Sequence, residues 1–179
     1  MTTLRAQKEH LANLLTAIQR SAYFLAAAER NLAWPLDAAD MAARKKDEAL
    51  YQTLSAFNER YAKLQDVLGA TMRHTVLLLG ERADEFLHVL AYFEKHGVVE
   101  SIEGWQALRL ARNQAAHEYE TDYRAIAEHF NALHGLLPTL LALAWRLTSL
   151  CRDKLGIGPG DEAFAEDFDA IAAAYGLEA

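Results

Sequence analysis

With 179 residues, 52% of them hydrophobic, the chain is long enough to bury one core and too short to fill two. Only nine glycines and three prolines interrupt it and β-branched residues are scarce, which points to an all-α protein, while a single cysteine, Cys151, excludes an internal disulfide. The net charge of −7 is uneven: residues 161–179 hold six of the 25 acids and no Lys or Arg, so the remaining 19 acids stand against 18 bases, which argues against a broad surface for duplex DNA and leaves a local phosphate site open.

Leu4, Leu11, Leu14, Leu15, Ile18, Ala22 and Leu25 recur at three- and four-residue steps, predicting a first helix over about Thr3 to Asn31 that ends at Trp34-Pro35. Leu36 to Arg44 reads as a connection. A second helix is expected from Lys46 to Leu79, its stripe running through Leu50, Leu54, Phe57, Tyr61, Leu64, Leu68, Met72 and Val76, with Gly69 inside it marking a bend or a close helix crossing. Gly80 closes that run. Ala83 to His96 predicts a shorter helix facing inward through Phe86, Leu87, Leu90 and Phe93, with Gly97 as its C′ residue.

Ser101 is the expected N-cap of a helix through Ala116, and Thr121-Asp122 caps a long helix from Tyr123 to Arg152, apolar over most of its circumference. Leu136 to Trp145 lies between His134 and Arg146 and falls short of the roughly 20 apolar residues a membrane span needs, so it reads as a core or dimer-interface helix. The start of the chain lacks a basic-then-apolar leader, and the expected compartment is the cytoplasm. The linker Gly156 to Gly160 then divides a helical domain, residues 1–155, from an acidic appendix, residues 156–179. There Asp161 would cap a short helix, which either packs through Phe164, Phe168 and Ile171 or lies over a basic cleft as a nucleic-acid mimic.

Arginine stands five residues before histidine three times: Arg5 and His10, Arg112 and His117, Arg124 and His129. The first and last pairs lie inside amphipathic helices, where they read as solvated or half-buried polar residues. The middle pair adds Asn113 directly after the arginine, Tyr119 two residues past the histidine, and a place where one helix gives way to the next. The next helix begins there with unpaired N–H groups that favour an anion, which suits phosphodiester chemistry. A plain structural role is also open, with Arg112 and His117 complementing a helix C-terminus and Glu118 or Glu120 pairing with Arg112.

The run Arg112-Asn113-Gln114-Ala115-Ala116-His117-Glu118-Tyr119 resembles the Arg-x4-His-x-Tyr signature of the HEPN superfamily, and the Trp-bearing helix before it and long apolar helix after it extend the resemblance over about residues 1–152. The most similar members are bacterial toxins paired with a minimal nucleotidyltransferase antitoxin. The resemblance implies an antiparallel bundle of about five helices that forms a homodimer, bringing two motifs to one cleft where RNA is cut without a metal. Arg112 would neutralise the scissile phosphate and His117 would act as general base or acid, with Asn113 supporting the cleft. Tyr119 would be the position at which the nucleotidyltransferase attaches AMP and silences the toxin. An alternative is a non-catalytic module of the same fold that docks that partner or serves as its AMPylation substrate.

No cofactor is called for. His10, His74, His88, His96, His129 and His134 are scattered, no His-Glu-x-x-His occurs, one cysteine makes no thiolate site, and neither a Walker nor a dinucleotide glycine pattern is present.

Overall fold

The structure, a computed structural model, describes residues 2–114 and 121–177. The protein is all-α, and its described residues form seven helices: α1 Thr2–Arg30, α2 Ala38–Ala43, α3 Glu48–Leu78, α4 Phe86–Lys95, α5 Ile102–Gln114, α6 Tyr123–Leu155 and α7 Ala165–Ala174. None of them is long and apolar enough to cross a membrane. α1 and α3 pack along an extended seam, and α6 touches α1, α2, α3, α5 and α7. Their shared core includes Leu15, Ile18, Phe57, Leu68, Met72, Leu108, Leu137 and Leu140. Leu4, the first residue of the expected α1 stripe, is exposed.

α2 occupies part of what the sequence reads as a connection. Asp37 starts it, its carboxylate accepting the N–H groups of Ala39 and Asp40 at 2.9 Å, and Met41 anchors it in the core. The turn before it is tied to α6: Asn131 accepts the Leu36 N–H at 2.7 Å and donates to the Leu36 carbonyl at 2.9 Å, while Trp34 stacks on His134 at 4.1 Å. The Trp34-Pro35 peptide is cis.

α4 begins at Phe86 rather than Ala83 and turns differently from the expected face. Val89, Leu90 and Phe93 are buried and Phe86 is half-buried, whereas Leu87 is exposed. The step from 86 to 89 or 90 to 93 keeps one face of a helix; Leu87 lies a quarter-turn off it. Gly97 adopts a left-handed φ of 70° just past the end of α4, as a C′ glycine does.

α6 runs three residues beyond Arg152 to Leu155 and stops at Gly156, whose φ of 65° lets its N–H reach the Arg152 carbonyl. The chain then turns back along α1: the Gly160 N–H donates to the Ala12 carbonyl at 3.0 Å and the Asp161 N–H to Thr16 Oγ1 at 3.1 Å. Asp161 caps the turn before α7 through the Ala163 N–H, and α7 itself starts after Phe164, which supplies no side-chain cap. Phe168, Ile171 and Ala172 are buried, Phe168 lies 5.8 Å from Trp145, and Phe164 lies 5.4 Å from Tyr23. The acidic segment therefore packs on α1 and α6 through its apolar residues, with Asp161, Glu162, Glu166, Asp167 and Asp169 outward.

Candidate functional site

α5 carries the first half of the candidate motif. Ser101 caps it, Oγ accepting the Gly104 N–H at 2.9 Å, and Trp105, Leu108 and Ala111 at helical spacing bury one face against α3, α4 and α6. Phase follows from that burial. Arg109 and Arg112 come out along the margin that faces α3, and Asn113 is exposed.

The opposite wall comes from one face of α3, where Gln65, Asp66, Gly69, Ala70 and Arg73 recur at three- and four-residue steps. α3 is continuous through Gly69, so the glycine marks a crossing and not a bend: a Cβ there would stand 3.6 Å from the Trp105 ring and 3.7 Å from Phe86. Small side chains on α3 leave an open cavity of about 440 Å³, which Phe86 and Trp105 also line. The two rings sit 5.7 Å apart.

Among the described residues, three guanidinium groups line this cavity, those of Arg73, Arg109 and Arg112, against one carboxylate, Asp66. The surplus is positive in a chain whose net charge is −7. Arg112 is held by Asp66, Nη2 to Oδ2 at 2.9 Å, and its Nη1 lies 3.4 Å from Asn113 Oδ1. Arg73 lies over the Phe86 ring at 5.4 Å and donates to the Ala83 carbonyl at 3.0 Å. One edge of the Arg112 guanidinium is thus fixed by α3 while the side chain stays half-exposed, an arrangement suited to holding an anion in a set orientation.

Of the residues expected to form the site, Arg112 and Asn113 come together on this rim. His117 and Tyr119, with Glu118 and Glu120, lie outside the described residues. Among the described residues the acid that pairs with Arg112 is Asp66 on another helix, a partner that spacing within the motif does not suggest. The other residues missed by the sequence reading are Gln65, Arg73 and Arg109. For Gln65 and Arg73 the available signal was the small, polar face of α3 around Gly69, and for Arg109 its place one turn before Arg112 on α5.

The start of α6 carries the N-cap that the sequence predicts. Asp122 caps it, Oδ1 accepting the Arg124 N–H at 2.9 Å, so a carboxylate already supplies negative charge at that helix end. The two decoy pairs behave locally. Arg5 bonds Glu9 and Arg124 bonds Glu128, each at 2.8 Å one turn along its own helix. Burial lowers the pKa of His129 below its ordinary 6.5. Cys151 is buried beside Thr75 and burial pushes its thiol up to about 11, which makes it a poor nucleophile at neutral pH. Among the described residues, no three His, Cys, Asp or Glu side chains converge as a metal site.

The chain matches no family model, no curated protein and no solved structure. The site must therefore be read from its own residues.

Proposed function

We propose that this protein is a metal-independent endoribonuclease of HEPN type, the toxin of a toxin–antitoxin pair, acting in the cytoplasm through Arg112 and His117 of two protomers at one cleft. The observation that carries the reading is the Arg112 guanidinium, set by Asp66 at the mouth of an arginine-lined cavity where the chain enters the Arg-x4-His-x-Tyr run. In the reaction, Arg112 neutralises the scissile phosphate. His117 removes the 2′-OH proton, the 2′ oxygen attacks phosphorus, and the 5′ oxygen leaves with a proton from the second protomer's copy of the same histidine. The products are a 2′,3′-cyclic phosphate and a 5′-hydroxyl. Asn113 supports the arginine, and Tyr119 accepts AMP from a nucleotidyltransferase antitoxin that places anionic bulk in the cleft.

The test is incubation of the purified protein with RNA at neutral pH in EDTA. Cyclic-phosphate ends should appear, and His117→Ala should remove them, with a loss of about 10²–10⁴-fold, while helicity is kept. Undiminished cutting by His117→Ala, or no cutting by a dimeric wild-type protein, sinks the catalytic reading. Co-expression with a nucleotidyltransferase should add the mass of AMP at Tyr119.

A second reading has one observation in its favour. The Arg112–Asp66 pair joins α5 to α3, and a purely helix-fixing role for the arginine requires such a pair. On that reading Asp66→Asn lowers the melting temperature, and RNA remains uncut by every variant.

A further inference from the structure

Buried hydrogen-bonding groups are normally paired, and a group left unpaired weighs against the folded state. Gln65 is 2% exposed, yet neither its side-chain oxygen nor its nitrogen has a partner, and the Trp105 indole N–H, on a residue 4% exposed, is unpaired as well. Gln19 Oε1 and the Tyr61 hydroxyl also lack partners. Gln65 and Trp105 differ from them in lining the cavity that holds Arg73, Arg109 and Arg112.

The demands of this cavity can be stated atom by atom. The indole N–H asks for an acceptor, the amide for an acceptor and a donor side by side, and the guanidinium groups for negative charge. A nucleobase edge joined to a phosphate meets all of these, and the cavity of about 440 Å³ lies within the usual range of small-molecule sites, about 300–1,000 Å³. Gly69 brings α3 within one methyl group of the Trp105 and Phe86 rings, both of which line the cavity.

We propose that the α3–α5 cavity is a base-selecting subsite, which takes one unstacked nucleotide of a single-stranded RNA beside the phosphate held by Arg112, with Gln65 as the selecting residue. This rests on the reading of RNA as substrate. Neither the indole N–H nor the Gln65 amide is open to solvent in the empty fold, and rotation of the Gln65 side chain is the movement that brings its amide against the atoms of a base edge. Arg109 and Arg73 hold the flanking backbone without regard to sequence. A base of the wrong edge pattern leaves the amide unpaired, so discrimination comes from the polar groups that the empty fold leaves unsatisfied.

The experiment is a fluorescence-anisotropy titration of the intact protein with four labelled hexaribonucleotides that differ in one base, each 2′-O-methylated so that no cutting occurs. Wild type should bind one of them at least about tenfold tighter than the others. Gln65→Leu should level the four affinities and, because an unpaired buried amide is gone, raise the melting temperature. Arg109→Ala should weaken all four alike. Gly69→Ala adds one methyl at ordinary contact distance from both rings and should weaken binding without unfolding the protein.

Absence of binding, equal affinities in wild type, or a preference that survives Gln65→Leu would each overturn the proposal. A free nucleoside monophosphate that binds as tightly as the best hexamer would overturn the strand-reading part, because the cavity would then belong to a soluble nucleotide. The two proposals fail separately. RNA cut without base preference ends this one alone, and a Gln65-dependent preference in a protein that cuts nothing ends the catalytic one alone.

Discussion

Arg112 and its two decoys, Arg5 and Arg124, share the same spacing to a histidine and differ in what their guanidinium groups meet. Arg5 and Arg124 bond acids four residues on along the same helix, with side chains 84% and 80% exposed. Arg112 bonds Asp66, 46 positions away on α3, and its side chain is 32% exposed. A pair within one exposed helix turn holds a geometry that solvent and salt readily dissolve. A cross-helix pair at the rim of a cavity orients a charge relative to other helices, which a binding site needs and a lone helix cannot provide. Equal spacing therefore hides unequal roles.

The comparison is broken most sharply by Arg112→Ala, which should reduce RNA cleavage by about 100-fold or more if this guanidinium meets the reacting phosphate. Arg5→Ala and Arg124→Ala serve as controls in the same assay, and a similar loss in either would erase the distinction. Asp66→Asn tests whether orientation matters apart from charge. With Arg112 retained but unpinned, cleavage should fall about tenfold, with kcat affected more than KM. A large drop in melting temperature with cleavage unchanged would instead assign the pair to structure.

His129 sharpens the contrast from the decoy side. Burial lowers its folded pKa below 6.5, so the unfolded chain takes up the proton first as pH falls. Its neutral form therefore costs no stability above pH 6.5, and stability should decline as pH drops from there toward the folded pKa. A histidine-resolved NMR titration should give His129 a midpoint below 6.5, and urea melts of wild type and His129→Gln should differ in slope only in that acidic range. The smallest effect is expected for the decoy arginines in thermal melts. Neither Arg5→Ala nor Arg124→Ala should shift the transition measurably, because both pairs are largely exposed.

Much of the fold is legible in the residues because its causes are local. Ser101 and Asp122 cap α5 and α6 through N–H groups two or three residues away, and Gly97 and Gly156 stop α4 and α6 by taking a positive φ. The apolar stripe of α3 is buried as its period requires. Legibility fails where a distant contact decides. Six residues make α2 a helix only because Met41 finds a place in the core and Asn131 holds the preceding turn. Leu87 falls outside and Val89 inside because the bundle takes the face shared by Phe86, Leu90 and Phe93, and Leu87 lies off that face. The acidic segment follows α1 because backbone groups at Gly160 and Asp161 find acceptors at Ala12 and Thr16.

By itself the sequence determined an all-α chain, most of its helix ends, and the run from Arg112 to Tyr119 as the place to look for chemistry, since propensity, capping and periodicity act within a few residues. Only the tertiary structure decided that Gly69 is a helix crossing and that Asp66 holds Arg112. It alone brings Gln65, Arg73 and Trp105 to the same cavity as Arg109 and Arg112. Those side chains come from two helices about 40 residues apart in the chain, and no spacing rule connects them. They meet because the buried faces of α3 and α5 set the helices in phase, and the groups left along that margin, charged or unpaired, are what a ligand would find.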